Sequence, residues 1–539
     1  MAVQMVERSK TMTRLCDTEY TVNLSQEAMD DLDISPLFQT FFPVDAPVMN
    51  DEIIAFVKTY LTYDAKEIRR RSEIIGALRE TPNCLTRIAS AIKSWERLSH
   101  NLFELSRAPR PLMLYHCMKH ALKAYLASVD EVESIFTDEG PPGVTDIAKA
   151  IRTQKSSPFH AHVRECLHQV DQVMQPLRSL TLAINMTKTG QPMEIGVTGI
   201  NQCPEMPVGL FGGNRENVNI LCDKTPIKLQ NQISHLAEYM ITQAEKQLTP
   251  QLKSALRALK EIDVEILRKW CEWLKSIELY HKGLLLSTAL QKSSCAVCRP
   301  DPCSDTLDAE EMMYPHMALT EHKPVPQKFR LKRGDNVMVT GANNSGKTSV
   351  LKSFAQNAFL AQLGFWVPAK SFRWIPFRQY LTVFAAREDG QMRASRYQQE
   401  AEQMRRVIKI ADPDTCLLFN EPFTSTNPAE AAELLRDIII GLRQKGTTMI
   451  LVTHIYNVYS LLCGANIPVR SYVTGLDPDS DSRMHTYILN EKAPDGLSYA
   501  RLLARECGFG IGGLPGDPGE MNALKEFMMG GSHLAQIIS

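Results

Sequence analysis

The sequence has no long apolar run, no dominant charge of one sign and no paired spacing of its cysteines. No stretch approaches the roughly 18 apolar residues that a membrane-spanning helix needs, and the N-terminal residues lack the apolar centre of a secretory signal. The 60 lysines and arginines nearly balance the 61 aspartates and glutamates, so any nucleic-acid surface must be a local patch. The 13 cysteines are scattered, which suits a reducing interior better than a disulfide scaffold. These absences predict a cytoplasmic protein with no membrane partner.

A chain of 539 residues is longer than one hydrophobic core usually supports, so we expect several domains. Apolar residues recur at helical spacing from about residue 50 to 138 and again from about 226 to 291, whereas short strands and helices alternate after residue 295. The predicted segments are an irregular lead-in (1–45), a helical core (46–175), a small β insertion with a hairpin near Gly190 (176–225), long helices (226–294), an α/β nucleotide-binding domain (295–510) and a glycine-rich linker with a short helix (511–539). The long helices are compatible with two extended arms, one bent arm or an ordinary bundle. The predicted fold class is multidomain, α plus α/β.

A phosphate-binding pattern, GANNSGKT, occupies residues 341–348. It directly follows the apolar strand NVMVT and opens a helical segment, which is the structural context that this pattern requires. Backbone N–H groups of such a loop turn towards phosphate oxygens, Lys347 would reach the β and γ phosphates, and Thr348 would bind magnesium. The predicted nucleotide-binding residues here are Gly341, Asn343, Asn344, Ser345, Gly346, Lys347, Thr348 and Ser349.

Two further apolar strands each end on a polar residue that suits nucleotide hydrolysis. The first, LLF at 417–419, runs into Asn420 and Glu421, and the second, TTMILVT, runs into His454. This order is that of an ABC-type ATPase, in which Glu421 would be the general base and His454 a sensor of the γ phosphate. Ser395 lies between the phosphate-binding pattern and the first of these strands, where ABC-type proteins keep a signature loop; a helix N-cap is equally compatible with Ser395.

Asn420 stands where an ATPase normally has an aspartate. Its amide oxygen can still accept a hydrogen bond, but the missing negative charge weakens the surroundings of the metal ion. The predicted metal-site residues are Thr348, Asn420 and Glu421, with ATP and Mg²⁺ as the cofactors. Because Lys347, Glu421 and His454 are all present, we expect slow but real ATP hydrolysis.

Residues 314–372, YPHMALTEHKPVPQKFRLKRGDNVMVTGANNSGKTSVLKSFAQNAFLAQLGFWVPAKSF, resemble the ATPase domain of the MutS family. The TSTN segment after Glu421, the VTHIYNVYSL segment and APDGLSYARLLARECGF are also similar to it, so the resemblance is strong over about 312–510 and weaker over about 20–290. It implies a helical core, lever and clamp followed by an ABC-type P-loop ATPase domain, and a homodimer in which Ser395 of each subunit completes the partner's site. It also implies adenine as the base, packed near Val325.

Two departures from the family pattern bear on function. The family's mismatch reader is an N-terminal domain that carries a Phe-x-Glu wedge, and we expect this chain to lack that domain and the connector that follows it. The sequence contains Phe-x-Glu only at 419–421, so mismatch reading by an inserted aromatic ring is not expected. The endonuclease domain of another MutS branch is not expected either.

The sequence leaves three functions open. The first is a MutS-like, ATP-dependent dimeric clamp on duplex or branched DNA, which could place the protein with the nucleoid. The second is the same clamp on structured RNA, a ribosome or a protein partner that supplies recognition, and the third is an assembly scaffold with negligible turnover. A metal site at Cys295, Cys298 and Cys303, with His316 as a fourth ligand, competes with ordinary structural thiols and has an incomplete ligand pattern.

Overall fold

The computed structural model describes residues 20–41, 49–108, 110–174, 179–186, 192–201, 245–246, 248–293, 295–320, 323–342, 345–384, 396–476 and 485–494. These residues form two compact units. A helical unit comprises those from Lys66 to Ala289 together with Leu363–Trp366, and an α/β unit comprises Tyr20–Ala65, Leu290–Gln362 and those from Val367 on. Within these ranges no helix is long and apolar enough to cross a membrane.

The N-terminal segment forms part of the α/β unit. It contains strand β1 (Asn23–Leu24) and helices α1 (Gln26–Asp31), α2 (Ile34–Gln39) and α3 (Met49–Tyr60). Ser25 caps α1 by accepting a hydrogen bond from the Ala28 N–H at 3.1 Å, and the apolar side chains of Leu32 and Phe38 are fully buried. The structure therefore differs from the predicted division at residue 45: part of the expected irregular lead-in is ordered, because its short apolar groups are buried in a core that the local pattern does not show.

The described part of the helical unit is built from helices and a pair of antiparallel strands. Its elements are α4 (Ala65–Glu80), α5 (Cys84–Leu105), α6 (Pro111–Ile135), α7 (Pro142–Lys155), α8 (Pro158–Met174), β2 (Ser179–Met186), β3 (Pro192–Asn201), α9 (Thr249–Leu259), α10 (Val264–Lys275) and most of α11 (Ile277–Lys292). Trp270 is buried in its core and donates to Ser128 Oγ at 2.8 Å, while Tyr125 packs edge-on against the same indole. Strands β2 and β3 pair antiparallel, and the expected turn near Gly190 lies outside the described residues.

The described part of the segment predicted as long helices consists of short ones. Asp263 ends one helical run and caps the next, its side chain accepting from the Glu265 N–H at 2.9 Å, and Ser276 separates α10 from α11. Pro250 lies in the first turn of α9, where its missing N–H costs no hydrogen bond. The apolar residues keep their helical spacing across these breaks, so the sequence pattern predicted fewer and longer helices than the structure has. Residues 226–244 of the predicted segment lie outside the described part.

The α/β unit contains two sheets. The described elements after α11 are β4 (Asp301–Pro302), β5 (Thr306–Met312), α12 (Pro315–Leu319), β6 (Gln327–Lys332), β7 (Asn336–Thr340), α13 (Lys347–Gln362), β8 (Ser371–Trp374), β9 (Gln379–Phe384), α14 (Arg396–Ile410), β10 (Thr415–Asn420), α15 (Pro428–Gln444), β11 (Thr448–Val452), α16 (Asn457–Gly464), β12 (Arg470–Leu476) and β13 (His485–Glu491). The smaller sheet has the order β4-β8-β5-β6 and the larger one β1-β9-β10-β11-β7-β12-β13. Mixed α and α/β architecture is therefore as predicted.

The larger sheet sets the position of the site. Its strands run parallel except for the antiparallel pair β12 and β13. The strands β7 and β11 are buried along their whole length, which is why they consist of almost unbroken apolar residues. Strand β11 lies between β7 and β10, so the carboxyl ends of these three strands meet at one edge of the sheet. Ligands of open parallel sheets bind outside the carboxyl ends of the strands.

Candidate functional site

The loop after β7 is shaped by two glycines. Gly341 has φ +148° and Gly346 has φ +88°, and both values favour glycine. A Cβ atom on Gly341 would lie 1.9 Å from Thr474 Oγ1, a distance that no real side chain tolerates. The same hydroxyl lies 2.5 Å from Ser345 Oγ, so β12 holds the loop from the side. The described residues of the pattern thus lie between β7 and the first turn of α13.

Lys347 begins α13, and its side chain folds back into this loop. It is only 5% exposed, and its Nζ donates to Gly341 O at 3.1 Å and to Ala342 O at 2.6 Å. Burial lowers the pKa of Lys347, whereas the nearby Glu421 carboxylate opposes this effect. A buried ammonium whose partners among the described residues are two carbonyls and a carboxylate 3.9 Å away is suited to an anionic ligand.

Thr348 and Asn420 are brought together from α13 and the end of β10. Thr348 Oγ1 donates to Asn420 Oδ1 at 2.9 Å. Both residues were predicted to surround a magnesium ion, and their oxygens are of the type that magnesium prefers. The structure places the two side chains in contact.

Glu421 follows β10 in a strained backbone conformation. Its φ is +55°, in the left-handed region that a glutamate rarely adopts, and its N–H donates to Val452 O at 2.8 Å. Its Oε1 lies 2.7 Å from His454 Nε2 and 3.9 Å from Lys347 Nζ. The hydrogen bond from His454 lowers the pKa of Glu421 most, and burial opposes it. The carboxylate is therefore ionised and aimed towards the turn that holds Lys347.

These side chains surround a cavity of about 920 Å³. Residues of the turn and of α13 line one side of it, and Glu421 and His454 contribute from β10 and β11. Val325, predicted to contact the base, also lines the cavity, as does Ser349. The structure adds Tyr314, Met317 and Tyr487, which the sequence analysis did not single out. Tyr487 has φ +54°, and its ring lies so close to Gly346 that a Cβ there would be 3.3 Å from Tyr487 Cδ1.

Some predicted site residues lie outside the described part of the chain. These are Asn343, Asn344 and Ser395. The remaining residues predicted for the nucleotide site line the cavity, except Gly341 and Asn420. Gly341 contacts Lys347 and Asn420 contacts Thr348, and both of these partners line the cavity. Tyr314 and Tyr487 were missed because they precede or follow the phosphate-binding pattern by 27 residues or more and carry no local signal of their own.

The structure does not bring Cys295, Cys298 and Cys303 together as a metal site. Cys303 Sγ donates to Thr306 O at 2.7 Å, and burial raises the pKa of Cys298 to about 12, which disfavours the thiolate that binds metal. Among the residues that the structure describes, no group of three or more His, Cys, Asp or Glu side chains is placed to hold a metal ion.

Comparison with known proteins assigns this part of the chain to one family. The family model described as MutS domain V matches residues 337–493. The chain is 26% identical over 174 residues to a DNA mismatch repair protein MutS of Haloquadratum walsbyi, covering 32% of this chain and 19% of that protein. It is 28% identical over 195 residues to an Endonuclease MutS2 of Lactobacillus helveticus (36% of this chain, 24% of that protein) and 30% identical over 143 residues to an Endonuclease MutS2 of Clostridium botulinum (26% and 18%).

The matched region therefore spans about a quarter or less of the length of these curated relatives. It contains Lys347, Glu421 and His454, which line the cavity. Over this region, the chain is similar to domain V of the MutS family.

Proposed function

We propose that this protein is an ATP-binding and slowly ATP-hydrolysing dimeric clamp that acts on duplex or branched DNA. The observation that carries the proposal is the convergence of Lys347, Glu421 and His454 on one cavity at the carboxyl ends of β7, β10 and β11. The relatives, which are a DNA mismatch repair protein and endonucleases, support DNA as the substrate.

The residues present fit a magnesium nucleotide. A Cβ on Gly341 would clash with Thr474, and Lys347 Nζ is buried with the carbonyls of Gly341 and Ala342 as its hydrogen-bond partners among the described residues. When bound, MgATP supplies the phosphoanhydride bond that is broken, with the metal neutralising its charge. Thr348 and Asn420 would hold the metal side of the nucleotide, and Val325 and Tyr487 would contact its base side.

Glu421 would serve as the base that orients the attacking water. Its lowered pKa keeps the carboxylate ionised, so that it can accept a hydrogen bond from the water and orient it, and His454 holds it in place through Nε2. Lys347 would have to leave the carbonyls of Gly341 and Ala342 to reach phosphate oxygens. The neutral Asn420 makes turnover slow, because it contributes no charge next to the metal.

The test of this site compares the native chain with Glu421→Ala. We expect ATP hydrolysis to fall by about 100-fold while ATP binding stays within about threefold, since the carboxylate acts mainly in the transition state. Glu433→Ala, an exposed acid on α15, is the matched control and should hydrolyse normally. If the native chain and Glu421→Ala hydrolyse equally little, the protein is a nucleotide-stabilised scaffold instead. Two features favour the scaffold as the second candidate function: Glu421 is already paired with His454, and Asn420 is neutral.

DNA contact is proposed to occur through phosphates and shape, without mismatch reading by a Phe-x-Glu wedge. The sequence carries that motif only at 419–421, and Phe419 is fully buried in β10, where it cannot reach a base. Binding should therefore weaken steeply with salt. Gel shifts with matched, mismatched and branched duplexes and with structured RNA, each at several salt concentrations, distinguish DNA from RNA. Preference for RNA, or for neither, would favour the ribosome or protein-partner alternative.

Dimerisation is proposed to accompany ATP binding, with Ser395 of each subunit completing the partner's site. Sedimentation of Glu421→Ala should show dimers with ATP and fewer without it. Ser395→Arg should prevent the dimer while leaving nucleotide affinity nearly unchanged. Monomers under all nucleotide conditions would overturn this part of the proposal.

A further inference from the structure

The segment at residues 20–41, which we call the N-terminal clip, is fastened to the helix that follows the phosphate-binding turn. Lys352 Nζ on α13 lies 2.5 Å from Asp33 Oδ2. One turn further along α13, the buried Gln356 donates through Nε2 to Leu32 O at 3.0 Å and Asp33 O at 3.2 Å. The clip thus contacts two polar side chains of the helix that begins with Lys347.

Asp33 also connects the clip with the wall of the nucleotide cavity. Tyr314 lines that cavity, and its hydroxyl donates to Asp33 Oδ2 at 3.3 Å. Burial, followed by the Asp33 charge, raises the pKa of Tyr314, so its hydroxyl remains protonated and able to donate. Asp33 has φ +52°, a conformation that aspartate adopts at a cost, which the contacts on both sides of it offset. One carboxylate oxygen therefore holds α13 and the cavity wall together.

We propose that Asp33 is a positioning residue of the nucleotide site, which acts by holding Tyr314 against the cavity, and that nucleotide binding in turn stabilises the clip. This inference rests on the proposed nucleotide site. Because coupling between two sites is reciprocal, a clip that orders Tyr314 for the nucleotide must itself be ordered more firmly when the nucleotide is bound. The clip lies about 280 residues before Tyr314 in the chain, so this link exists only in the folded protein.

The clip does not depend on Asp33 for its attachment. Strand β1 pairs with β9, and Asp31 Oδ2 accepts from Thr382 Oγ1 on β9 at 2.7 Å. Asp31 is therefore a matched control: it lies two residues from Asp33 on the same segment and bonds a neighbouring hydroxyl, but Thr382 does not line the cavity. Loss of the Asp33 charge should leave the clip in place and change only what Asp33 touches.

The test measures binding of a fluorescent ATP analogue with Mg²⁺ to the full chain carrying Asp33→Asn, Tyr314→Phe, both changes, or Asp31→Asn. We expect Asp33→Asn and Tyr314→Phe each to weaken binding by about 3- to 10-fold, and Asp31→Asn by less than about twofold. The double variant should bind the ATP analogue about as tightly as whichever single variant has the lower affinity, because the two residues act through one contact. Thermal melts compare the variants for stability.

A second measurement is hydrogen exchange at residues 26–39. In the native chain ATP should slow exchange there, and in Tyr314→Phe, which removes a single oxygen atom, this protection should be lost. If the native chain binds no nucleotide, the proposed function fails and this inference with it. If the native chain binds but Asp33→Asn binds equally well, or the effects of the two changes add fully, the inference alone is overturned.

Discussion

Asn420 and Glu421 are adjacent in the chain, yet they face different partners at the end of β10. Asn420 accepts from Thr348, whereas Glu421 turns through a left-handed backbone angle towards His454. This division separates a neutral amide near the proposed metal from an ionised carboxylate near the proposed water. In the proposed function, Asn420 would slow hydrolysis and Glu421 would make hydrolysis possible.

Replacing Asn420 with aspartate tests this assignment. Asn420→Asp restores a charge beside Thr348 Oγ1, and we expect the rate of Mg²⁺-dependent ATP hydrolysis to rise about 10-fold, since partners of metal ligands are commonly worth that much. Steady-state hydrolysis over a magnesium titration provides the measurement. Asn427→Asp is the control, because Asn427 caps α15 by accepting from the Ala429 N–H and an aspartate can do the same. An unchanged or lower rate in Asn420→Asp would remove the explanation for slow turnover.

Among the elements, helices α13 and α15 differ in how much of their surface is buried. Helix α13 is buried on nearly all sides, and its buried glutamines bond carbonyl groups of distant segments, as when Gln362 donates to Thr62 O and Phe377 O. Helix α15 buries one face only, and, apart from the surrounding residues of α15 itself, no described atom lies within 4 Å of the position that a Cβ on Gly441 would take. Helix α13 is therefore constrained by packing, whereas α15 can accept a larger side chain at Gly441 without a clash.

Gly441→Ala should stabilise the protein. Alanine has a higher helix propensity than glycine, so the free energy of unfolding should rise by about 0.5–1 kcal/mol. Urea denaturation followed by circular dichroism measures the change. Gly341→Ala is the contrasting variant: its methyl group would meet Thr474 Oγ1 at 1.9 Å, so we expect nucleotide binding to be lost. Stabilisation by Gly341→Ala, or destabilisation by Gly441→Ala, would contradict the backbone geometry described above.

At the scale of the whole molecule, the helical unit carries several histidines that folding keeps neutral. Burial lowers the pKa of His281 to about 4, with the Lys282 charge acting in the same direction. Burial also lowers the pKa of His160, which is 3% exposed and whose ring nitrogens have no hydrogen-bond partner among the described residues. Protonation of such groups opposes folding, because a charge would be buried without a partner.

The stability of the helical unit should therefore fall in mild acid. The folded state of His281 binds fewer protons than the unfolded state between pH 6.5 and about 4, so its contribution is complete above pH 6.5 and is lost as the pH falls towards 4. We expect a loss of about 1–2 kcal/mol from this group between pH 7.5 and pH 5. Urea denaturation at several pH values measures it.

His281→Gln should reduce this pH dependence, and His168→Gln is its control, since His168 lies on the exposed side of α8. The variants should differ in slope below pH 6.5 and agree above it. Equal slopes for the two variants would show that His281 is not kept neutral by folding.

How much of the site was predictable depends on how far apart its parts lie in the chain. The turn at 341–346, Lys347 and Thr348 form one continuous pattern, and Glu421 and His454 each follow directly on an apolar strand, so short windows of sequence predicted them. The apolar periodicity also predicted a helical region followed by an α/β region, but it ran across Asp263 and Ser276 and therefore overestimated the length of the helices.

The amino-acid sequence alone determined the phosphate-binding pattern, the apolar strands that precede Glu421 and His454, and the resemblance to the MutS family, because each depends on neighbouring residues whose backbone preferences are local. Only the tertiary structure decided that β11 lies between β7 and β10, that Tyr314 and Tyr487 complete the cavity, and that Asp33 reaches Tyr314. These features depend on packing and hydrogen bonds between residues tens to hundreds of positions apart, and such contacts are specified by the shape of the folded core.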